Sequence, residues 1–248
     1  MKPMQVHRDL PQLPVFKNAA LTIGTFDGVH RGHQQIIHQL KTAAAAGNGE
    51  SIIITFEPHP REVLFPDDHG VQLLNTLEEK IGLLAEQGID HIVVAPFTPE
   101  FSKLSAAAYI EDFLVKNFHP HTIIIGYDHR FGHNREGDIR LLESVQEKFN
   151  FRVIEIPREV VHHVGVSSTK IRHYLREGHA ILANELLGYP YFLSGTVIHG
   201  DKRGRELGYP TANIEVRDKK KLIPGEGVYA VKIAVWRTQP STGNRQLF

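Results

Sequence analysis

The stretch Leu21–Leu40, LTIGTFDGVHRGHQQIIHQL, constrains the fold of this chain more than any other. It begins with an apolar run of strand type, continues through a tight turn containing Gly24, Asp27 and Gly28, and ends in a segment of helical period. A strand, a turn and a helix start that follow each other so closely aim backbone N–H groups and a helix N-terminus at one point. The stretch therefore predicts a site for an anion such as a phosphate.

Two histidines, His30 and His33, lie three residues apart at the start of this predicted helix and share one face of it. Their ring nitrogens can donate hydrogen bonds to phosphate oxygens. The turn is neither a Walker A loop, because it lacks Gly-Lys-Ser/Thr, nor a G-x-G-x-x-G loop, because its glycines are spaced differently. A pair of surface histidines at a helix cap is the alternative. A zinc site is a weaker one, because two histidines need further ligands and the chain has no cysteine.

Apolar runs and helical periods alternate along residues 20–187. The predicted strands lie near residues 20–25, 51–56, 91–97, 121–126 and 151–156, and the predicted helices near 33–46, 76–87, 105–117, 138–149, 167–176 and 180–187. Residues 1–18 are predicted to be a lead-in, and residues 61–75 an exposed loop. This order predicts an α/β fold with a doubly wound parallel sheet. The loops that follow strands are 24–33, 57–60, 126–137 and 157–167, and we expect them to meet at the carboxyl edge of the sheet.

The hydroxyl-rich phrase Ser167-Ser168-Thr169 begins one of these helices, and Lys170 and Arg172 lie in its first turn. Hydroxyls and free N–H groups at a helix start can hold a pyrophosphate, and the two cations offset its charge. The alternative is an ordinary helix cap followed by solvated basic residues.

The sequence pattern changes after Gly188-Tyr189-Pro190, because no helical periodicity occurs beyond these residues. Strands are predicted at 192–198 and 227–236, separated by glycine loops. We therefore predict two domains, an α/β domain of residues 1–187 and an all-β domain of residues 188–248.

Charge and hydropathy limit the partners of this chain. Its 248 residues contain 28 Lys+Arg and 28 Asp+Glu, so no net basic field favours nucleic acid or an anionic membrane surface. No apolar run approaches the about 18 residues of a membrane span, and the N-terminus has no apolar signal core. We expect a cytoplasmic protein that binds neither nucleic acid nor membranes.

Four phrases resemble the motifs of a known family. The H-x-G-H signature resembles that of the nucleotidyltransferase superfamily, which includes the class I aminoacyl-tRNA synthetases. With it, TFEPHP, GYDHRFG and SSTKIR occur in the order found in bacterial FAD synthetases. The resemblance covers most of residues 20–175. It implies a Rossmann-like nucleotidyltransferase domain that acts as an FMN adenylyltransferase.

The resemblance also implies roles for individual residues. His30, His33 and Arg172 would be catalytic, stabilising the negative charge that develops on the phosphates. Further contacts to ATP would come from Gly24, Phe26, Asp27, Gly28, Asp128, Ser167, Ser168 and Thr169. Contacts to FMN would come from Phe56, Pro58, His59, Pro60, Asp128, Arg130 and Phe131. Mg²⁺ would bridge phosphate oxygens, and Asp27 would orient its loop or approach the metal.

The C-terminal phrases GDKRGRELGYPTAN and GVYAV resemble riboflavin kinase, the usual second half of these bifunctional enzymes. The resemblance assigns a nucleotide and metal site to Gly200, Lys202, Gly204, Thr211 and Asn213, with Thr211 and Asn213 on the metal. A kinase barrel of this family extends further than residue 248 and has its proposed base there. We therefore expect a partial barrel with unpaired edges, and no effective kinase activity from these 248 residues.

The implied reaction is adenylyl transfer, in which a phosphate oxygen of FMN attacks the α-phosphorus of ATP. Such a step needs positioning and charge stabilisation and no protein nucleophile. Three alternatives stay open. They are a nucleotidyltransferase with another acceptor, such as nicotinate mononucleotide or phosphopantetheine, a flavin-binding module without activity, and a full kinase and transferase.

Overall fold

A computed structural model gives the structure of residues 3–66, 72–157, 165–200, 203–209, 211–238 and 245–247. Ten strands lie in these ranges: β1 Gln5–His7, β2 Ala20–Ile23, β3 Ser51–Glu57, β4 His91–Pro96, β5 Thr122–Gly126, β6 Arg152–Ile156, β7 Thr196–Ile198, β8 Asn213–Glu215, β9 Trp236–Thr238 and β10 Arg245–Leu247. The α-helices are α1 Arg31–Ala46, α2 Pro60–Leu64, α3 Leu77–Glu86, α4 Ala106–Ala108, α5 Lys116–Phe118, α6 Ile139–Phe149, α7 Ser168–Arg176, α8 Ala180–Leu187 and α9 Arg203–Glu206. A π-helical segment, Tyr109–Val115, joins α4 to α5.

Six strands form one parallel sheet in the order β1-β4-β3-β2-β5-β6. The chain builds outward from β2 through β3 and β4, then returns to the other side of β2 for β5 and β6. The direction therefore reverses between β2 and β5, and in sheets of this kind ligands bind beyond the carboxyl ends at that point. The predicted doubly wound α/β fold is confirmed.

Apolar side chains cover both faces of this sheet. One cluster joins β2, β3 and β5 to the helical region 106–118 and to α6, around Phe113, Leu114 and Phe118. The other joins the opposite face to α1 and α3, around Ile37, Leu40 and Leu84. Strands covered on both faces need continuous apolar runs, which is why SIIITF and HTIIIG identify β3 and β5 from sequence.

Local signals fix several of the helix ends. Gly47 follows α1 and its N–H is bonded to the carbonyl of Ala43. Thr76 and Glu79 form the predicted capping box of α3, with both reciprocal hydrogen bonds present. Asp138 and Ser167 cap α6 and α7 through their side chains.

Some of the predicted elements are wrong. Residues 5–7, which look like an irregular lead-in, add an edge strand to the sheet, because they pair with β4. Residues 61–75, predicted as an exposed loop, contain most of α2, and Leu74 and Asn75 are buried. Helix α2 begins at Pro60, since proline is tolerated at the first position of a helix.

The C-terminal region holds two separate two-stranded antiparallel sheets, β7–β8 and β9–β10. Its strands are shorter than predicted, since 192–195 and 227–235 are not strand. Helix α9 adds a helical turn where none was expected. A β-rich sequence needs neighbouring strands to pair with, and the described part of this region supplies one partner to each strand.

Candidate active site

The turn between β2 and α1 carries the first group of predicted site residues, and its backbone is unusual. Phe26, Gly28 and Val29 all have positive φ angles, of 49°, 87° and 35°. A Cβ atom at Gly28 would lie 2.7 Å from the side chain of Leu74. The sequence needs glycine there, because that φ is strained for other residues and the space is filled.

Asp27 holds this turn in place. Only 4% of the residue is exposed, and its Oδ1 accepts the N–H groups of Leu74 at 2.9 Å and Asn75 at 3.3 Å. Its Oδ2 forms an ion pair with Arg172, and the Ser168 hydroxyl donates to its carbonyl oxygen at 2.9 Å. The H-x-G-H turn and the hydroxyl-rich start of α7 are thus in direct contact.

The two histidines of the motif stack on each other at the start of α1, with ring centroids 3.7 Å apart. His30 is the N-cap, and its Nδ1 accepts the N–H of His33 at 3.3 Å. Burial lowers the pKa of His30 to about 4 and holds the pKa of His33 well below its usual value. The Nδ1 atom of His33 is buried without a hydrogen-bond partner. The pair is neutral at pH 7 and has an unused polar atom.

His59 lies near charged residues that also surround the histidine pair. It caps α2 by accepting the N–H of Arg61, and Glu62 completes a capping box there. Burial lowers the pKa of His59 to about 4, while the charges of Asp27, Lys80 and Arg172 also act on it. The loop after β3 therefore approaches the turn after β2, as expected for neighbouring parallel strands.

Lys80 is a site residue that the sequence analysis did not identify. Its ammonium group is buried, and it donates to the Thr25 carbonyl at 3.1 Å and to the Thr55 hydroxyl at 3.0 Å. Burial lowers its pKa, and its charge also lowers that of His33. One signal was available, because Lys80 lies three and four residues before Leu83 and Leu84 on the apolar face of α3.

The remaining residues that are predicted to bind the phosphates of ATP lie at the N-terminal end of α7. Ser167 caps the helix by accepting the N–H of Lys170 at 3.2 Å. Thr169 is exposed. Arg172 also donates from Nε to the Gln72 carbonyl at 2.7 Å, so its guanidinium is held at two points. Its aliphatic stem and head are largely covered, with 11% of the side chain exposed.

The loop after β5 is organised separately. Arg130 pairs with Asp138 at 2.9 Å, Asp128 is exposed, and Phe131 stacks on Tyr109 at 5.1 Å. Within the described ranges, no hydrogen bond or ion pair joins Asp128 or Arg130 to the histidine pair. His129, which the sequence analysis also missed, has a buried Nε2 without a partner and a pKa that burial lowers to about 4.

The flavin-side residues of the loop after β3 have different environments. Phe56 is buried and packs edge-on against Phe97 with ring centroids 5.5 Å apart. Pro60 begins α2, directly after Pro58 and His59. This loop lies close to the turn that contains His30 and His33. The contacts of its residues with FMN stay predictions.

The kinase-like residues also lie together. A Cβ at Gly200 would lie within 1.6 Å of the Asn213 amide, and one at Gly204 would lie 3.0 Å from the Thr211 hydroxyl. Gly200 and Gly204 therefore lie directly against the two predicted metal-binding residues. Lys202 lies outside the described residues.

Two further findings bear on the chemistry. Among the residues that the structure describes, no three His, Cys, Asp or Glu side chains are grouped to hold a metal ion. Within the same residues, no helix is both long and apolar enough to cross a membrane.

Comparison with known proteins gives two family matches. The model of the FAD synthetase family matches residues 13–170, and that of riboflavin kinase matches residues 187–246. The bifunctional riboflavin kinase/FMN adenylyltransferase of Listeria monocytogenes is 42% identical over 218 residues, which is 88% of this chain and 68% of the relative. The Escherichia coli K12 protein of the same name is 37% identical over 243 residues, covering 98% of this chain and 76% of its own length.

The fold also resembles a solved structure. The crystal structure of a macrolide-efflux protein from Streptococcus pneumoniae superposes with a TM-score of 0.78 and 25% sequence identity. The similarity covers 98% of this chain and 82% of that one.

Proposed function

The chain belongs to the family of bifunctional riboflavin kinase/FMN adenylyltransferases, and on that premise we propose that it transfers AMP from ATP to FMN, giving FAD and pyrophosphate. One observation carries the site assignment. The turn that holds His30 and His33 is fastened to the start of α7 through Asp27, Ser168 and Arg172. Two motifs separated by more than a hundred residues thereby form one polar surface at the carboxyl edge of the sheet.

In the proposed reaction the triphosphate lies across this surface. Ser167, Thr169 and Arg172 donate to the β- and γ-phosphates from their side chains, and Ser168 donates from its backbone N–H, because its hydroxyl already donates to the Asp27 carbonyl. A phosphate oxygen of FMN attacks the α-phosphorus in line. The bond from that phosphorus to the bridging oxygen breaks, and pyrophosphate leaves with the electron pair.

His30 and His33 act as hydrogen-bond donors to the charge that develops on the phosphates. A neutral imidazole carries one N–H, and the low pKa of His30 keeps it neutral before ATP binds. The unpartnered Nδ1 of His33 supports a ligand contact there, since buried polar atoms without partners are rare. Donors fixed in advance lower the barrier without having to reorganise.

The flavin side of the proposal involves the loops after β3 and β5. His59, Phe56, Pro58 and Pro60 would contact FMN from one side, and Asp128, Arg130 and Phe131 from the other. The position of His59 among the charges of Asp27, Lys80 and Arg172 supports the first part. For the second part, Arg130 pairs with Asp138 through Nη1, and the other N–H groups of its guanidinium would donate to a phosphate.

Mg²⁺ is part of the proposal as a companion of ATP. The Asp27 carboxylate is already used by Arg172, Leu74 and Asn75, which supports its role in orienting the turn over a role as a metal ligand. The phosphate oxygens themselves suit Mg²⁺, which keeps several waters and needs few protein ligands. When bound, the ion neutralises phosphate charge.

The C-terminal region would phosphorylate riboflavin. We propose that Thr211 and Asn213 hold Mg–ATP next to the loop of Gly200, Lys202 and Gly204, with the boundary between the two domains near residues 187–190. The close approach of Gly200 to Asn213 supports this grouping. We also propose that the protein is cytoplasmic.

Incubation with ATP, Mg²⁺ and either FMN or riboflavin tests both activities, with FAD and FMN separated by chromatography. FAD and pyrophosphate formed from FMN support the transferase. Pyrophosphate release with nicotinate mononucleotide or phosphopantetheine, and none with FMN, would instead indicate another acceptor. Binding of FMN without any product would indicate a module that only binds flavin. FMN formed from riboflavin would support the proposed kinase role of the C-terminal region. It would also contradict the sequence-based expectation that these 248 residues have no effective kinase activity.

A further inference from the structure

A segment of the C-terminal region docks beside the adenylyl-transfer site by backbone pairing. The N–H of Leu73 donates to the carbonyl of Lys220 at 2.7 Å, and the N–H of Leu222 donates to the carbonyl of Leu73 at 2.8 Å. Leu222 is fully buried among the side chains of α7 and α8. The segment that precedes α3 is therefore held by residues that match the riboflavin kinase family.

Lys221 lies at the centre of this contact. The residue is 2% exposed, and its ammonium donates to the Leu74 carbonyl at 2.6 Å and to Glu79 Oε2 at 2.7 Å. It also lies 4.4 Å from the centroid of the Tyr191 ring. A buried ammonium is costly unless it is paired and hydrogen-bonded, and here each requirement is met by a residue outside its own segment.

Leu74 connects Lys221 to the turn that bears the histidines. Its carbonyl accepts from Lys221, and its own N–H donates to Asp27 Oδ1 at 2.9 Å. Asp27 in turn pairs with Arg172. Lys221, Leu74, Asp27 and Arg172 thus form an unbroken series of direct contacts that ends at the proposed phosphate site.

We propose that Lys221 is a positioning residue for adenylyl transfer, so that a lysine of the kinase-like region completes the ATP site of the other domain. The inference rests on the proposed function. Lys221 fixes the backbone at Leu74, and that backbone fixes the carboxylate that orients Arg172. Asp27 contacts the start of α7, where the triphosphate of ATP is proposed to bind. Loss of Lys221 should therefore weaken the binding of ATP and leave the binding of FMN unchanged.

The test compares Lys221→Met with Lys219→Met in the same 248-residue chain. Methionine keeps the apolar stem and removes the charge and its donors. Lys219 is exposed and two residues away, which makes it a matched control. We expect Lys221→Met to raise the KM for ATP about tenfold, the cost of a lost charged hydrogen bond, with the KM for FMN changed less than about twofold. Lys219→Met should match the unmodified chain in both.

A second variant removes a possible complication, because Lys221→Met leaves the Glu79 carboxylate buried without its cation. The double variant Glu79→Gln/Lys221→Met removes both charges and should show the same selective rise in the KM for ATP. Amide exchange at Leu74 should also quicken in it, because the Leu74 carbonyl loses the Lys221 ammonium that holds this backbone against Asp27.

Each outcome decides one question. An unchanged KM for ATP in the double variant, or equal rises in the KM for ATP and for FMN, would overturn the inference and leave the proposed function intact. Absence of FAD formation by the unmodified chain would instead overturn the proposed function.

Discussion

The two regions of this molecule differ in where their apolar side chains lie. In the parallel sheet, Ile53, Ile92 and Ile124 are completely covered by helices. In the C-terminal region, Val228 is fully exposed, Ile233 is 72% exposed and Trp236 is 55% exposed. The contrast arises because the inner strands of the parallel sheet are covered by helices on both faces, whereas each described strand of the C-terminal region pairs with one other strand.

The exceptions to this contrast are informative. Residues 220–222 of the C-terminal region are held against the N-terminal sheet domain, and Lys221 and Leu222 are buried there. The described part of the C-terminal region is thus most deeply buried where the other region supplies the partners. This suggests that the adenylyl-transfer site depends on both regions, while the kinase-like loop is carried by one.

The largest expected effect is on catalysis in the sheet domain. His33→Ala should lower the rate of FAD formation by about 10²–10³, the usual cost of removing one donor to a developing charge. His38→Ala, on the exposed side of the same helix, is the control and should keep the normal rate. The rate is followed by pyrophosphate release. A His33→Ala enzyme with unchanged turnover would remove this histidine from the mechanism.

Acid stability gives the next largest effect. Burial lowers the pKa of His30 to about 4 in the folded protein, from 6.5 in the unfolded chain. Between these values the unfolded state binds a proton that the folded state does not, so stability falls as the pH drops from 6.5 towards 4. His30→Asn keeps a capping oxygen and removes this proton site.

For His30→Asn, the loss of unfolding free energy between pH 7 and pH 5 should be smaller by about 2 kcal/mol than in the unmodified chain. Urea unfolding at both pH values measures it. An identical pH dependence in the two proteins would mean that His30 is not shielded from water as the structure has it.

A smaller effect is expected from Arg172→Lys. Lysine cannot reproduce the two-point hold of the guanidinium on Asp27 and on the Gln72 carbonyl. The KM for ATP should rise about tenfold, as expected for one charged hydrogen bond. Arg176→Lys, one turn further along α7 at an exposed residue whose Nε donates to the Gln72 side chain at 3.0 Å, should show little change. Steady-state kinetics with varied ATP separates the two, and equal values would count against a phosphate role for Arg172.

The smallest effects test the contrast between the regions directly. Ile53→Val removes one buried methylene from the sheet and should cost about 0.5–1.5 kcal/mol of unfolding free energy. Ile233→Val makes the same change at a residue that is 72% exposed and should cost less than about 0.5 kcal/mol. Chemical denaturation measures both. A similar cost at both positions would mean that Ile233 is covered in the protein in solution.

Much of the fold could be predicted because its signals are local. The continuous apolar runs of β3 and β5, the capping box at Thr76 and Glu79, and the glycine-bounded turn before α1 each act within a few residues. The strand at residues 5–7 could not be predicted in this way. It depends on pairing with β4 across more than eighty residues, and its own sequence gives no period.

The site shows the same division. His30, His33 and the hydroxyls at 167–169 stand out because their spacing at predicted helix starts suits a phosphate. Lys80 does not, because a lysine on an apolar helix face has no chemical signature until Thr25 and Thr55 are seen beside it. Lys221 also has no distinguishing signal in the sequence, because it is one of three consecutive lysines.

Residue types at short and fixed spacings were enough to identify the family, five of the six strands of the parallel sheet, and the loops that contain the predicted site residues. Tertiary contacts were needed to show that Asp27 joins two loops, that His30 and His33 stack as a neutral pair, and that Lys221 is buried beside the proposed ATP site. These properties come from burial and from contacts between residues far apart in the chain, where the cost of isolating a charge from water selects its partners.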